Sequence, residues 1–211
     1  MTPIHHHIPE ALLADYARGA LDEAFSLVLA THISLCDQCR ATLGALEAPG
    51  GVLLEEAAAA PVSDAAKAAV LAQLDDALPQ QPVYRKDRLY PAPLDEFVND
   101  DNPRWSKMGG GVKQMILTQN ASSSARLLYI PAGQAVPDHG HNGMELTLVL
   151  QGAFVDETGT YAKGDLEIAD SDLEHTPVAA PGAPCICLAA TDAALRFNSL
   201  IPRLLQPIFR I

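Results

Sequence analysis

Residues 133–152, GQAVPDHGHNGMELTLVLQG, contain two histidines and a glutamate at positions of the same parity. Side chains alternate between the two faces of a strand, so His139, His141 and Glu145 share one face. On the opposite face lie Leu146, Leu148 and Leu150. Two imidazoles and a carboxylate that converge inside a β-barrel are suitable ligands for Zn, Fe, Mn or Ni. The segment therefore predicts strands that surround a metal site.

The fourth ligand of this site is expected from another strand, and one histidine is available for it. His175 lies in GDLEIADSDLEHTPV, eleven residues after Gly164, and the remaining histidines all precede residue 33. We therefore predict a metal site made by His139, His141, Glu145 and His175.

Short apolar or alternating segments recur beyond about residue 104, and Gly, Pro and Asp separate them. They are GVKQMILT, ARLLYIP, ELTLVLQG, GDLEIAD, PCICLAAT and ALRFNS. Strands at this density predict an antiparallel barrel or jelly roll.

The glycines, histidines and glutamate of this half resemble the motifs of the cupin family. The first cupin motif is matched in full by Gly133, His139, His141, Glu145 and Gly152. In the second motif Gly164 and His175 match, whereas Asp170, Asp172 and Ala179 stand in place of the family's Pro, Gly and Asn. The resemblance implies a metal-binding cupin barrel. Cupins include dioxygenases, isomerases and non-enzymatic sensors, so the fold does not decide the function.

A second cluster of metal-type residues lies in THISLCDQCRAT, residues 31–42. At about 100° per residue, His32, Cys36 and Cys39 fall within about 60° of one helical face, or on a helix end and its adjoining turn. Zinc takes four N or S ligands, and the fourth is available from one of the three consecutive histidines, residues 5–7. A chance CxxC with a core histidine is one alternative. A thioredoxin-like redox pair is another, although its βαβ context is missing.

The N-terminal half is predicted to be helical. Pro9 suits a first helical position, helices are expected over residues 9–47 with a break at Gly19, and the stretch APGGVLL interrupts the pattern. Ser63 is suited to cap a helix that Pro79 ends. The apolar stripe of that helix is Val70, Leu71, Leu74 and Leu78. The stripe either docks on a partner or packs at home.

These patterns together predict an α + β protein with two domains. Residues 1–84 form a zinc-bound helical bundle, residues 85–103 a Pro-containing linker that uncouples the halves, and residues 104–211 an antiparallel β-barrel of the cupin, jelly-roll type.

The segment LLADYARGALDEAFSLVLATH and the His-x3-Cys-x2-Cys pattern after it resemble zinc-containing anti-sigma factors, over roughly residues 7–80. That resemblance implies zinc held by His7, His32, Cys36 and Cys39, with His5 or His6 as alternatives to His7. It also implies an extracytoplasmic-function sigma factor of RNA polymerase as the partner. The whole chain resembles such anti-sigma factors that carry a cupin-like domain and respond to singlet oxygen, which implies zinc in both domains.

Composition excludes several classes of function. The 211 residues carry a formal charge of -12 and a pI of about 4.8, which argues against direct binding of nucleic acid or an anionic membrane. We recognise neither a signal peptide nor a run of 18 apolar residues, so a cytoplasmic protein is expected. Cys185 and Cys187 share one strand face and are expected to be buried thiols, with a redox role as the alternative.

Two functions remain in competition. The first is a non-enzymatic anti-sigma factor whose barrel governs release of the sigma factor. The second is a metal-dependent cupin enzyme, a dioxygenase or isomerase, with a helical zinc appendage. An open metal site beside a substrate-sized pocket would favour the enzyme. The CxxC pair as a redox centre is a third hypothesis.

Overall fold

The computed structural model describes residues 3–75, 88–98 and 104–197. The described part of the N-terminal half contains four α-helices: α1 Glu10–Ala17, α2 Glu23–Leu35, α3 Asp37–Glu56 and α4 Asp64–Ala72. Among the described residues, none of the helices has the length and apolar character needed to cross a membrane.

The helix ends follow the sequence signals with two exceptions. Pro9 lies at the N-cap position of α1, one residue before the predicted first helical position, and Gly19 adopts φ 67° after the helix. The Ser63 hydroxyl accepts a hydrogen bond from the Ala66 N–H at 3.2 Å at the start of α4. The expected interruption at APGGVLL is wrong, because α3 continues through Pro49 to Glu56. The last predicted helix is also shorter than expected: α4 passes into a 3-10 turn, Gln73–Asp75, and Leu78 and Pro79 lie outside the described residues.

Twelve strands follow within residues 104–197, and every segment predicted to be a strand contains one. They are β1 Ser106–Gly109, β2 Val112–Gln119, β3 Ser124–Ile130, β4 His139–Gly140, β5 Glu145–Gln151, β6 Ala153–Val155, β7 Thr160–Ala162, β8 Leu166–Ala169, β9 Glu174–His175, β10 Val178–Ala179, β11 Cys185–Thr191 and β12 Arg196–Phe197.

The strands form three antiparallel sheets. A six-stranded sheet has the order β1-β2-β3-β11-β5-β8, and two three-stranded sheets have the orders β10-β6-β7 and β12-β4-β9. Within the described residues the sheets do not join into one closed ring. Side chains between the sheets make an interior cluster that includes Val149, Phe154 and Tyr161.

The helical half packs directly on the outer face of the six-stranded sheet. Val28 and Leu29 of α2 are fully buried in the same hydrophobic cluster as Leu146, Leu148 and Leu150 of β5. Each fully buried side chain of this kind contributes about 1.5–3 kcal/mol relative to an exposed one. The expectation that a linker uncouples the two halves is therefore wrong, because they share one core.

Part of the predicted linker belongs to that core. Residues 88–98 lie against α2, and their 3-10 turn, Ala92–Leu94, places the fully buried Leu94 in the shared cluster. Tyr90 and Val98 are buried there as well. These apolar residues explain why a Pro-rich segment is held in place here, since burial of its side chains offsets the entropy lost on ordering.

Candidate metal centres

The structure brings four predicted ligands of the helical half together, and we call this cluster the first centre: His7, His32, Cys36 and Cys39. His32 lies in the last turn of α2, Cys36 caps α3, and Cys39 lies in the first turn of α3. His7 arrives from the segment before α1, with its Nδ1 3.3 Å from the Cys36 Sγ and 3.7 Å from the Cys39 Sγ. One potential ligand atom of each residue lies within 4.8 Å of the others.

The chemistry of the first centre fits a metal ion. His32 is fully buried, and neither of its ring nitrogens has a side-chain hydrogen-bond partner among the described residues. Burial lowers the pKa of His32 to about 4, so the ring is neutral and can act as a ligand at neutral pH. Burial raises the pKa of the Cys39 thiol to about 11, so binding of a metal there would release a proton. Two thiols and two imidazoles form a donor set typical of structural zinc.

Only one of the three consecutive histidines joins this cluster. The His5 side chain is exposed, and the His6 ring turns toward the β domain, where its centroid lies 4.4 Å from that of Tyr161. His7 alone faces the thiols. The choice among His5, His6 and His7 was open from spacing, and the structure places His7 at the cluster.

The second cluster, which we call the second centre, contains His139, His141 and His175. His139 and His175 are direct partners in the β4–β9 pairing, which explains how residues 36 positions apart in the chain meet. The Nε2 atom of His175 lies 3.2 Å from that of His139 and 3.3 Å from that of His141. Three buried imidazole nitrogens that point at one position form a suitable site for a transition metal.

Glu145, the fourth predicted ligand, lies beside the three histidines rather than among them. Its Oε2 is 3.5 Å from the Nδ1 of His141, and its Oε1 accepts a hydrogen bond from the Thr147 hydroxyl at 3.1 Å. Burial raises the pKa of Glu145, but contacts with His141 and His139 outweigh burial and lower it overall. Glu145 is therefore an ionised carboxylate adjacent to the cluster, and its role as a ligand stays a prediction.

Two carboxyl groups behind His175 were missed by the sequence analysis. The Nδ1 of His175 lies 2.7 Å from the Asp156 Oδ2 and 3.2 Å from the Glu167 Oε1. Carboxylates commonly hold the second ring nitrogen of a metal-binding histidine and orient the ring. The available signal was Glu167, an acidic residue at a buried position in the middle of a strand.

These contacts shift the pKa values of His175, Glu167 and Asp156 in different directions. Burial lowers the pKa of His175, but Glu167 and Asp156 outweigh it and raise the pKa to about 9. Burial raises the pKa of Glu167 to about 7, whereas hydrogen bonds from Glu167, Thr158 and His175 outweigh burial at Asp156 and lower the pKa of that carboxyl. In the metal-free protein the cluster therefore holds a cationic imidazole against the Asp156 carboxylate.

An apolar cavity of about 360 Å³ opens onto the second centre. His139, His175, Glu145 and Glu167 line one end. The apolar walls include Val112, Leu128, Ile130, Val136, Phe154 and Leu195. This volume lies within the range of small-molecule sites, about 300–1,000 Å³.

The Cys185 and Cys187 side chains face the same side of β11, as alternation predicts. Both are buried free cysteines in the interior cluster, with their sulfurs 3.4 Å apart. Contact with Cys185 and burial raise the pKa of the Cys187 thiol. A raised pKa disfavours the thiolate that redox chemistry requires, so the contacts support buried, unreactive thiols.

The helical half also has an unpaired apolar surface. Val70, Leu71 and Leu74 are 63%, 51% and 73% exposed. Val52, Leu53 and Leu54 at the end of α3 are exposed too. An exposed apolar surface of this kind is typical of a protein interface.

Comparison with known proteins gives consistent matches. Residues 94–194 match the family model of the ChrR cupin-like domain. The chain is 59% identical over 211 residues to the anti-sigma-E factor ChrR of Cereibacter sphaeroides, and the match covers 99% of each chain.

A solved structure gives a similar match. In the crystal structure of Rhodobacter sphaeroides SigE in complex with the anti-sigma ChrR, the matched chain is 55% identical with a TM-score of 0.77. The match covers 90% of the present chain and 100% of the solved one.

Proposed function

The chain belongs to the ChrR family of anti-sigma factors, and from this premise we propose how its two halves divide the work of inhibition and release. The protein is an anti-sigma factor whose partner is an extracytoplasmic-function sigma factor. Similarity along nearly the whole chain, both to the curated anti-sigma factor and to the protein in the sigma complex, carries this assignment. The helical half holds the sigma factor, and the β domain governs its release.

The exposed stripe on α4 and the turn after it supports the helical half as the sigma-binding surface. Val70, Leu71 and Leu74 are exposed although all three are apolar, and amphipathic helices often dock in a groove of a partner. Because the described part of the chain leaves this stripe in solvent, the alternative that it packs entirely within its own bundle is not supported.

The test of this surface is co-purification of the full chain with its sigma factor. Leu74→Glu should weaken binding by about 10-fold or more, since a charge would be buried on docking. Ala69→Glu is the matched control, because Ala69 lies on the opposite side of α4 and is exposed. Equal affinity of the two variants, with zinc retained in both, would contradict this interface.

Zinc at both centres is part of the proposal. In the first centre it would be held by His7, His32, Cys36 and Cys39, and in the second by His139, His141 and His175 with Glu145. Zinc at the first centre would cross-link the helices and would take no part in redox chemistry. Zinc at the second centre would be a Lewis acid held in place by its ligands. Metal analysis of the purified full chain should find close to two zinc ions per chain by this proposal.

We place the response to singlet oxygen at the second centre. The support is its geometry: the His139 and His175 rings line a cavity wide enough for a small molecule, whereas the first centre is a compact set of four ligands, three of which are buried. Release requires the trigger to change the relative free energies of the bound and free states. The test is a sigma-dependent reporter in cells treated with a photosensitiser, with and without substitutions at the second centre.

A metal-dependent cupin enzyme is the second candidate, and the cavity is the observation that favours it. An apolar pocket beside three imidazoles can hold a substrate as well as a regulatory ligand. Native iron or manganese at the second centre, with turnover of a small organic substrate, would support this function. Native zinc with no turnover would support the non-enzymatic regulator.

A further inference from the structure

The backbone of the N-terminal segment, defined here as Ile4–His7, is hydrogen-bonded to the β domain. The Asp165 Oδ1 accepts hydrogen bonds from the backbone N–H of His5 at 2.7 Å and of His6 at 2.9 Å. The Leu166 N–H donates to the His6 carbonyl at 3.2 Å. The Asp165 side chain is 2% exposed. The charge of this buried carboxylate is therefore stabilised by hydrogen bonds from backbone N–H groups.

The turn that carries Asp165 is shaped to receive this segment. Gly164 adopts φ 94°, which L-residues rarely adopt, and a Cβ added there would lie 2.7 Å from the Ile4 Cδ1. The Asp165 Oδ2 accepts a hydrogen bond from the Ala162 N–H at 2.9 Å, so the same carboxylate braces the turn. Gly164 and Asp165 therefore form a specific receptor for the N-terminal segment.

This receptor determines where His7 lies. His7 follows His6 directly and has no secondary structure of its own before α1 begins at Glu10. Ordering a free residue costs backbone entropy, and the hydrogen bonds of Asp165 to His5 and His6 offset that cost before a metal binds. The β domain thus preorganises a ligand of the centre that belongs to the helical half.

The same turn connects to the second centre by two routes. Along the chain, Asp165 is two residues before Glu167, whose carboxyl group lies 3.2 Å from the Nδ1 of His175. In space, the Tyr161 ring packs on His6, and its hydroxyl lies 3.0 Å from the Thr158 hydroxyl.

The second route is completed by Asp156. The Thr158 hydroxyl donates to the Asp156 Oδ1 at 2.7 Å, and the other oxygen of that carboxylate lies 2.7 Å from the His175 Nδ1. A continuous set of packed and hydrogen-bonded groups therefore links His6 with His175.

We propose that the Gly164–Asp165 turn is a positioning element for the first centre. Through this turn, loss of the metal or of the His175 ring at the second centre weakens metal binding at the first centre. The inference rests on the proposed metal binding at both centres and goes beyond it by naming the connection. Coupling between two binding sites is reciprocal, so loss of metal from either centre should weaken the other by the same factor.

The test is metal release from the zinc-loaded full chain under a chelator. Alkylation of Cys36 and Cys39, located by mass spectrometry, reports the first centre separately from Cys185 and Cys187. Asp165→Ala should raise the rate at which Cys36 and Cys39 become reactive by about 10-fold. Asp172→Ala is the matched control, because Asp172 is an exposed aspartate of the same domain away from the N-terminal segment. An unchanged rate in Asp165→Ala would overturn the proposal.

A double-mutant cycle separates positioning from a general loss of stability. His175→Ala should accelerate release from the first centre in the unsubstituted background, and it should add little in the Asp165→Ala background because the connection is already broken. Additive effects of the two substitutions would overturn the coupling. If Asp165→Ala fails to fold, Asp165→Asn keeps the side-chain volume, and the same non-additivity is expected with a smaller rate change.

The outcomes also separate this inference from the proposed function. Absence of metal at the first centre of the unsubstituted chain would contradict the proposed function. Metal present there, with release unaffected by Asp165→Ala and Asp165→Asn, would contradict only the positioning role.

Discussion

The two centres use similar ligands in opposite surroundings. The first takes three of its four ligands from eight consecutive residues, His32 to Cys39, and both of its cysteines belong to the core that the helices share with the sheet. The second takes its histidines from strands β4 and β9 and the residue after β4, and it opens onto a cavity of about 360 Å³. One centre is suited to hold structure together, whereas the other is suited to meet a small molecule.

The groups behind the ligands differ as well. The His32 ring of the first centre has no hydrogen-bond partner among the described side chains, whereas His175 of the second has two carboxyl groups against its Nδ1. Carboxylate partners orient a ligand and tune its basicity, so they make the metal sensitive to small changes around it. The difference suggests that inhibition depends on the first centre and regulation on the second.

A substitution at the first centre should have the largest effect and tests most directly whether the two centres differ in role. Cys36→Ser should remove its metal and lower sigma affinity by about 100-fold or more, because structural zinc contributes directly to folding. Cys187→Ala, which truncates a buried thiol of the β domain, is the control. Metal analysis and a sigma pull-down check both effects. Retention of two zinc ions in Cys36→Ser would show that the first centre is assigned incorrectly.

Substitutions at the second centre should separate response from inhibition. His141→Ala and Glu145→Ala should abolish induction by a photosensitiser while sigma binding stays within about 3-fold of the unsubstituted chain. The measurement is reporter activity with and without the photosensitiser, together with sigma affinity. Normal induction in both variants would move the sensor elsewhere, with Cys36 and Cys39 as the nearest candidates.

A change behind the ligands should have a smaller effect than removal of a ligand. Asp156→Asn keeps the shape but removes the charge that holds the His175 Nδ1, so metal affinity at the second centre should fall by about 10- to 100-fold. Chelator competition measures this affinity. Glu157→Gln is the control, since Glu157 is an exposed neighbour of Asp156. Loss of metal from the first centre, with the second centre unaffected, would contradict the assignment of Asp156 to the second centre.

The smallest predicted effect is a pH dependence of the metal-free protein. Burial raises the pKa of Glu167 from 4.5 to about 7, so between these pH values the folded state binds more protons than the unfolded state. Its contribution is therefore fully present below pH 4.5 and is lost as the pH rises through 7. Glu167→Gln cannot lose a proton, and its free energy of unfolding should fall less between pH 5 and pH 7, by about 2 kcal/mol. Urea unfolding at both pH values measures the difference, and parallel pH profiles would contradict the assigned protonation.

Local spacing was enough to predict much of both centres. His32, Cys36 and Cys39 meet because the last turn of one helix and the first turn of the next place nearby residues together. The alternation that separates Glu145 from Leu146 was also confirmed, since Glu145 lines the cavity and Leu146 packs toward the helices. These predictions succeeded because helix and strand periodicities depend only on neighbouring residues.

The features that depend on residues far apart in the chain could be identified only from the tertiary structure. Three consecutive histidines are equivalent by spacing, and His7 is selected because Asp165 holds the backbone of His5 and His6 some 160 residues away in the chain. The carboxyl groups of Asp156 and Glu167 meet His175 through strand pairing that no local pattern specifies.

The sequence by itself therefore determined the classes of the two halves, six of the strands and six of the seven residues that cluster at the two centres. The tertiary structure decided the selection of His7, the acidic groups behind His175 and the packing of α2 on the sheet. In α2 the run FSLVLATHI is apolar around most of the helix, which predicts burial on more than one side. The pattern does not indicate which elements pack against those sides. Periodicity determines which face of an element is apolar, but the partner of that face depends on contacts between residues far apart in the chain.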